Sequence, residues 1–162
     1  MEKGFQEKIK MSYNISSTHI LKLLSEGDLF RAILETAATL EEIFFARLIH
    51  NKNIPVVLIS NWSLGKLLGA SKDLGMIIEE EKFYPLLKDF LTLRNQCVHS
   101  GEYLIINLKD SKKEGIKGLI RGLAEFIPKN VIQEDLKNPN EEVFNHYLKE
   151  AEKKLDFLGK FS

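Results

Sequence analysis

The stretch Glu81–Glu102, EKFYPLLKDFLTLRNQCVHSGE, decides the fold. Phe83, Leu86, Leu87, Phe90, Leu91, Leu93 and Val98 recur at steps of three and four, so one stripe of a helix faces a core. Pro85 falls within about the first turn, where its missing N–H is tolerated. Gly101 stands where a left-handed C-terminal cap is expected. Arg94-Asn95-Gln96-Cys97-Val98-His99 crowds polar chemistry into the last turn and a half. Successive helical residues are about 100° apart, so Asn95 and His99 share a line while Arg94 and His99 are separated by roughly 140°. Arg94 is therefore expected at the edge of the apolar stripe with Val98, beside a polar seam of Asn95 and His99. Arg and His in a last turn also suit the negative end of the helix dipole, worth about 0.3–1 kcal/mol. Taken singly, each residue has a structural reading as good as a functional one.

Residues 1–15 read as a loose arm. Ser16-Ser17-Thr18 caps a short helix to about Glu26, with Ile20, Leu21, Leu23 and Leu24 inward. Gly27 breaks it and Asp28 caps a helix to about His50, on which Phe30, Ile33, Leu34, Ala37, Leu40, Phe44, Phe45 and Leu48 keep a helical period. Glu35, Glu41, Glu42 and Arg47 occupy its polar side. A turn at 51–55 leads to Val56–Ser60, read as an extended connector packed on the core. Asn61-Trp62-Ser63 caps a helix to about Leu74, ended by Gly75.

Beyond the central stretch, Tyr103–Leu108 extends the chain or forms a loop. A helix from about Asp110 to Ile127 follows, stopped by Pro128, then an irregular link at 131–140 and a last helix from Glu141 to about Leu158. The expectation is an all-α bundle of five to seven helices. A single domain spans 1–162, with the C-terminal helices of 104–162 packed on its core.

Composition narrows the function. Lysine plus arginine and aspartate plus glutamate number 23 each in 162 residues, so no global field advertises nucleic acid, and RNA would need a local patch. The basic line Lys113, Lys117, Arg121 is the candidate, a solvated face unless it borders the motif. The single cysteine excludes an internal disulfide and suits a reducing compartment. The charged start, MEKGFQEKIKMSYN, has no apolar core of a secretory signal, and no run reaches the ~20 apolar residues of a membrane span. A soluble cytoplasmic protein with no membrane partner is expected.

Several chemistries fall away. GKLLGASK lacks the spacing of a phosphate loop. The histidines at 19, 50, 99 and 146 are dispersed, no cluster has zinc-ligand spacing, and neither a metal nor a cofactor is expected. Cys97 and His99, two apart, point roughly 200° away from each other on a helix and cannot pair as nucleophile and base. Cys97 reads as a small buried hydrophobe.

The motif and its surroundings resemble the HEPN superfamily, whose signature is an Arg followed four to six residues later by a His, very often as R-N-x-x-x-H. Here it stands as Arg94-Asn95 and His99. Upstream Ser63-Leu64-Gly65-Lys66-Leu67-Leu68, Leu74-Gly75-Met76-Ile77-Ile78 and Leu91-Thr92-Leu93 are similar to the run that precedes the signature in bacterial and archaeal members, and the likeness covers about residues 28–103. It implies an up-and-down helical core and a metal-independent endoribonuclease of toxin or defence type, or a relative that has lost activity. It also implies a homodimer in which two such turns meet in one cleft. His99 would then serve as general base or acid, which an imidazole does near neutrality. Arg94 would neutralise the phosphorane, and Asn95 would orient His99 or the phosphate.

Glu35, Glu42, Ser100 and Tyr103 are candidate accessory residues, one of the glutamates matching the acidic residue that members keep on an earlier helix. Members paired with nucleotidyltransferases often carry a Tyr two residues after the His. Position 101 is Gly and the next tyrosine is Tyr103, which departs from that pattern. A second class of function stays open: a non-catalytic dimerisation or regulatory module, similar to the mannitol-operon repressor group or tied to an antitoxin or nucleotidyltransferase partner. In that case Arg94 would be buried in an ion pair, whereas a catalytic trio must reach a cleft.

Overall fold

The first helix begins well before its serines. In the computed structural model, which describes residues 2–52 and 59–130 and the side chains of 8–49 and 59–130, α1 runs Glu2–Ser25. The expected loose arm is thus corrected: residues 2–15 are helical. Ile9 and Tyr13 extend the stripe of Ser17, Ile20 and Leu24 toward the N-terminus and pack on the same core, which gives those turns an apolar face to bury. Leu21, expected inward, is exposed.

Gly27, at φ 79°, turns the chain, and Asp28 Oδ1 accepts the Arg31 N–H at 3.3 Å to open α2, Leu29–Lys52. Arg47, expected on the polar side of α2, is buried, and Leu34, expected inward, is exposed. The turn at 51–55 and the connector at 56–60 fall largely outside the described residues; Ile59 is buried and helical in backbone. Ser63 caps α3, Leu64–Asp73, by accepting the Lys66 N–H at 3.3 Å, and Gly75 at φ 67° ends it. The central helix α4 spans Glu80–Ser100 and stops at Gly101, φ 60°. Pro85 sits in the second turn, on an exposed face where water reaches the carbonyl it leaves unpaired.

Where a loop or an extension was expected at 103–108, the chain makes a short helix α5, Glu102–Ile106, with Ile105 inward. Helix α6, Asp110–Lys129, runs past Pro128. The missing N–H of Pro128 would have bonded the Ala124 carbonyl. The buried Ser17 hydroxyl of α1 donates to that carbonyl instead, at 2.6 Å. Asn130 Nδ2 then satisfies the Phe126 carbonyl at 2.8 Å. These two contacts replace the stop that Pro128 would otherwise impose. The link and last helix expected at 131–158 lie outside the described residues.

The six helices form an all-α bundle with no strand among the described residues. Helix α2 touches each of the others, while α1, α2, α4 and α6 form the long-helix ring. Phe126 of α6 lies 6.2 Å from Phe44 of α2 and 5.0 Å from Phe83 of α4, ring centre to ring centre. These buried rings fix how α4 is rolled, and so which residues its last turn presents.

Candidate functional site

Helix α4 buries Phe83, Leu87, Phe90, Leu93 and Cys97. On a helix with about 100° per residue, Arg94 falls beside that stripe and His99 falls nearly opposite it. Arg94 is half-buried at the α2 side, with 27% of its side chain exposed, and Asn95 and His99 are exposed. Arg94 Nη2 meets Glu41 Oε1 of α2 at 3.4 Å, and Nη1 donates to Asn95 Oδ1 at 3.3 Å. One guanidinium thus links two helices and orients the first polar residue of the seam. Gly101 N–H bonds the Cys97 carbonyl at 2.7 Å, closing the helix beneath His99.

Val98, expected inward with Arg94, is exposed; the stripe turns so that Cys97 takes the inner position. Burial pushes the Cys97 thiol above its ordinary value, as for a buried hydrophobe. Tyr103 and Ile106 on α5 are also exposed, so the motif end carries an apolar rim of Val98, Tyr103 and Ile106. Ser100 is exposed at the end of α4.

The acidic partner of Arg94 is neither Glu35 nor Glu42 but Glu41. Glu35 is half-buried further back along α2, its carbonyl accepting the Thr39 hydroxyl at 2.9 Å. Surrounding protein desolvates Glu42 and pushes its carboxyl above the ordinary range, although the residue as a whole is exposed. No local pattern distinguishes Glu41 from its neighbours; the roll of α2 against α4 selects it.

Lys113, Lys117 and Arg121 do not border the motif. A Cβ on Gly122 would meet Leu86 of α4 at 2.9 Å, so α4 lies on the Gly122 flank of α6. The basic line lies roughly 180–260° around the helix from that flank. It runs on the side of Ala124, where α1 packs, and Lys117 is paired with Glu114 at 3.1 Å. Between α4, α5 and α6 there is instead a mostly apolar groove of about 540 Å³, its polar contributors Asp89, Gln96 and Lys112.

Among the described residues no group of three or more His, Cys, Asp or Glu is placed to hold a metal ion, and no helix is long and apolar enough to cross a membrane. Comparison of the chain with protein-family models, curated proteins and solved structures finds no match.

Proposed function

We propose that this chain is a HEPN-type, metal-independent endoribonuclease that cuts single-stranded RNA at a site shared by two copies. The observation that carries the reading is the exposure of Asn95 and His99 on one line at the end of α4, with Arg94 held beside them. In one chain Arg94 leans toward α2 while His99 points outward. A second copy seated on the rim of Val98, Tyr103 and Ile106 would bring its own trio to the same phosphate.

The chemistry then needs only side chains. The 2′-oxygen attacks the adjacent phosphorus as His99 takes its proton. The bond to the 5′-oxygen breaks, and the imidazolium of the second copy's motif returns a proton to that leaving oxygen. Arg94 spends two of its five N–H groups on Glu41 and Asn95, leaving others for the phosphorane oxygens. Products are a 2′,3′-cyclic phosphate and a 5′-hydroxyl.

One observation favours the second reading, a non-catalytic dimerisation or regulatory module with an antitoxin or nucleotidyltransferase partner. It is the Arg94–Glu41 pair, which gives Arg94 a structural task. The test is incubation of pure protein with unstructured RNA in EDTA, with analysis of the ends, alongside sedimentation. Cyclic-phosphate ends from a dimer of 18.6 kDa chains are expected. No cleavage, or products ending in 3′-hydroxyl, would overturn the nuclease reading.

A further inference from the structure

The exposed line of α4 does not end at Asn95. Steps of four, three and four lead from His99 back through Asn95 and Thr92 to Lys88, all exposed. Between Lys88 and His99 the only carboxylate is Asp89, and it lies on the other flank, lining the groove toward α6. At 1.5 Å per residue the line is about 16 Å long, room for a few nucleotides.

Helix α3 supplies the second wall. A Cβ on Gly65 would touch Leu91 at 3.4 Å, and Lys72 Nζ lies 4.7 Å from the centre of the Tyr84 ring. The start of α3 is therefore beside the middle of α4 and its end beside the start, an antiparallel pair. Lys88 Nζ approaches the same Tyr84 ring, at 5.7 Å. At the other end of α3, Lys66 Nζ lies 4.7 Å from the ring of Trp62. Both ends of the α3–α4 face thus carry an aromatic ring with lysine beside it. Among the described residues, the carboxylate paired into this set is Glu80, at the far end, 4.0 Å from Lys72.

We infer that the α3–α4 face is the path of a single-stranded RNA leading away from the His99 end, its phosphates on Lys66 and Lys88 and its bases against Trp62 and Tyr84. Trp62 and Tyr84 are half-buried, and lysine beside a ring that keeps part of its surface open is the chemistry that takes a single strand without reading its sequence, since every base has a face to stack. The neutral hydrogen-bonding groups of Thr92 and Asn95 suit the backbone between these points. A duplex would leave the rings no unpaired base. The inference rests on the RNA-cutting reading for its direction, and it moves the RNA contact from the α6 basic line to the opposite side of α4.

The experiment uses a fluorescent, unstructured oligonucleotide with 2′-O-methyl groups throughout, which cannot supply the attacking hydroxyl. Binding is measured by anisotropy across a salt series for the full chain and for Lys66→Ala, Lys88→Ala and Lys117→Ala. Lys66→Ala and Lys88→Ala should each weaken binding by about 3- to 10-fold and reduce the slope of log affinity against log salt by about 0.7, one single-strand phosphate contact. Lys117→Ala, on the far flank of α6, should bind as wild type. Trp62 is the chain's only tryptophan, so its fluorescence should fall as RNA is added.

Wild type that does not bind, Lys66 and Lys88 variants that bind as wild type, an equal loss in Lys117→Ala, or unchanged Trp62 emission would each overturn the path. The two readings fail separately. Lys88-dependent binding by a protein that cuts nothing refutes the nuclease alone. His99-dependent cutting with wild-type binding by Lys88→Ala refutes the path alone.

Discussion

Replacing Ser17 by Ala should destabilise the bundle far more than an ordinary serine-to-alanine change within a helix. The Ala124 carbonyl has lost its helical donor to Pro128, and the Ser17 hydroxyl at 2.6 Å replaces it. Both residues are buried, at 7% and 3% exposure, so water does not take over when the hydroxyl is removed. A buried acceptor left unsatisfied costs about 1–3 kcal/mol, partly offset by a gain of a few tenths from alanine's helix propensity. About 1–2 kcal/mol is the net expectation.

The origin of the effect can be isolated in a second background. Pro128→Ala restores an N–H to bond the Ala124 carbonyl, so Ser17→Ala should cost about 1 kcal/mol less there. Urea unfolding of the four proteins, followed by helical circular dichroism, gives the coupling directly. A Ser17→Ala cost that is equal in both backgrounds would refute the argument that the serine replaces the proline's missing donor.

The remaining predictions concern the site and its supports. The Arg94–Glu41 pair, exposed by 27% and 39%, should show a double-mutant coupling of about 0.5–1 kcal/mol in unfolding; a coupling of zero would remove its role in tying α4 to α2. Cys97 is buried with its thiol held above the ordinary value, so the native protein should resist thiol reagents near neutrality and react on unfolding, and Cys97→Ala should leave cleavage intact. Rapid native labelling would show that Cys97 is accessible. Lys82 of α4, then Lys129, holds the Glu125 carboxyl below its ordinary 4.5. With the folded value depressed, that contribution is present above about 4.5 and lost as pH falls through the folded value. Glu125→Gln should therefore flatten the acid side of the stability profile, less so in high salt, and an unchanged profile would contradict the pairing.

Much of the bundle is legible because its signals are local. Ser63 announces the start of α3 by the bond its hydroxyl accepts, and Gly27, Gly75 and Gly101 mark ends by the positive φ they adopt. The period of α4 places Arg94 beside the buried stripe and His99 away from it, and Cys97 reads correctly as a buried apolar residue. What is not legible depends on a second helix. Ser17 looks like an N-cap until α6 offers a carbonyl freed by proline. Arg47 looks solvated until α2 is rolled into the middle of the bundle. Glu35, Glu41 and Glu42 are indistinguishable as letters, and only the packing of α4 brings Glu41 to Arg94. The Lys113–Lys117–Arg121 line is regular on its own helix, yet the close approach of Gly122 to Leu86 turns it away from the motif.

The most direct measurement compares wild type and His99→Ala on unstructured RNA in EDTA at equal concentration, with matched helical signal and sedimentation. His99 lies exposed in the last turn, where its loss costs at most about 1 kcal/mol of stability, so the variant should fold and assemble as wild type does. Wild type should leave 2′,3′-cyclic phosphate ends, and His99→Ala should cut at least about 100-fold more slowly, the loss of a general acid–base group. Equal rates in the two proteins, or no cutting by either, would contradict the account and leave Arg94, Asn95 and His99 as the structural close of a helix.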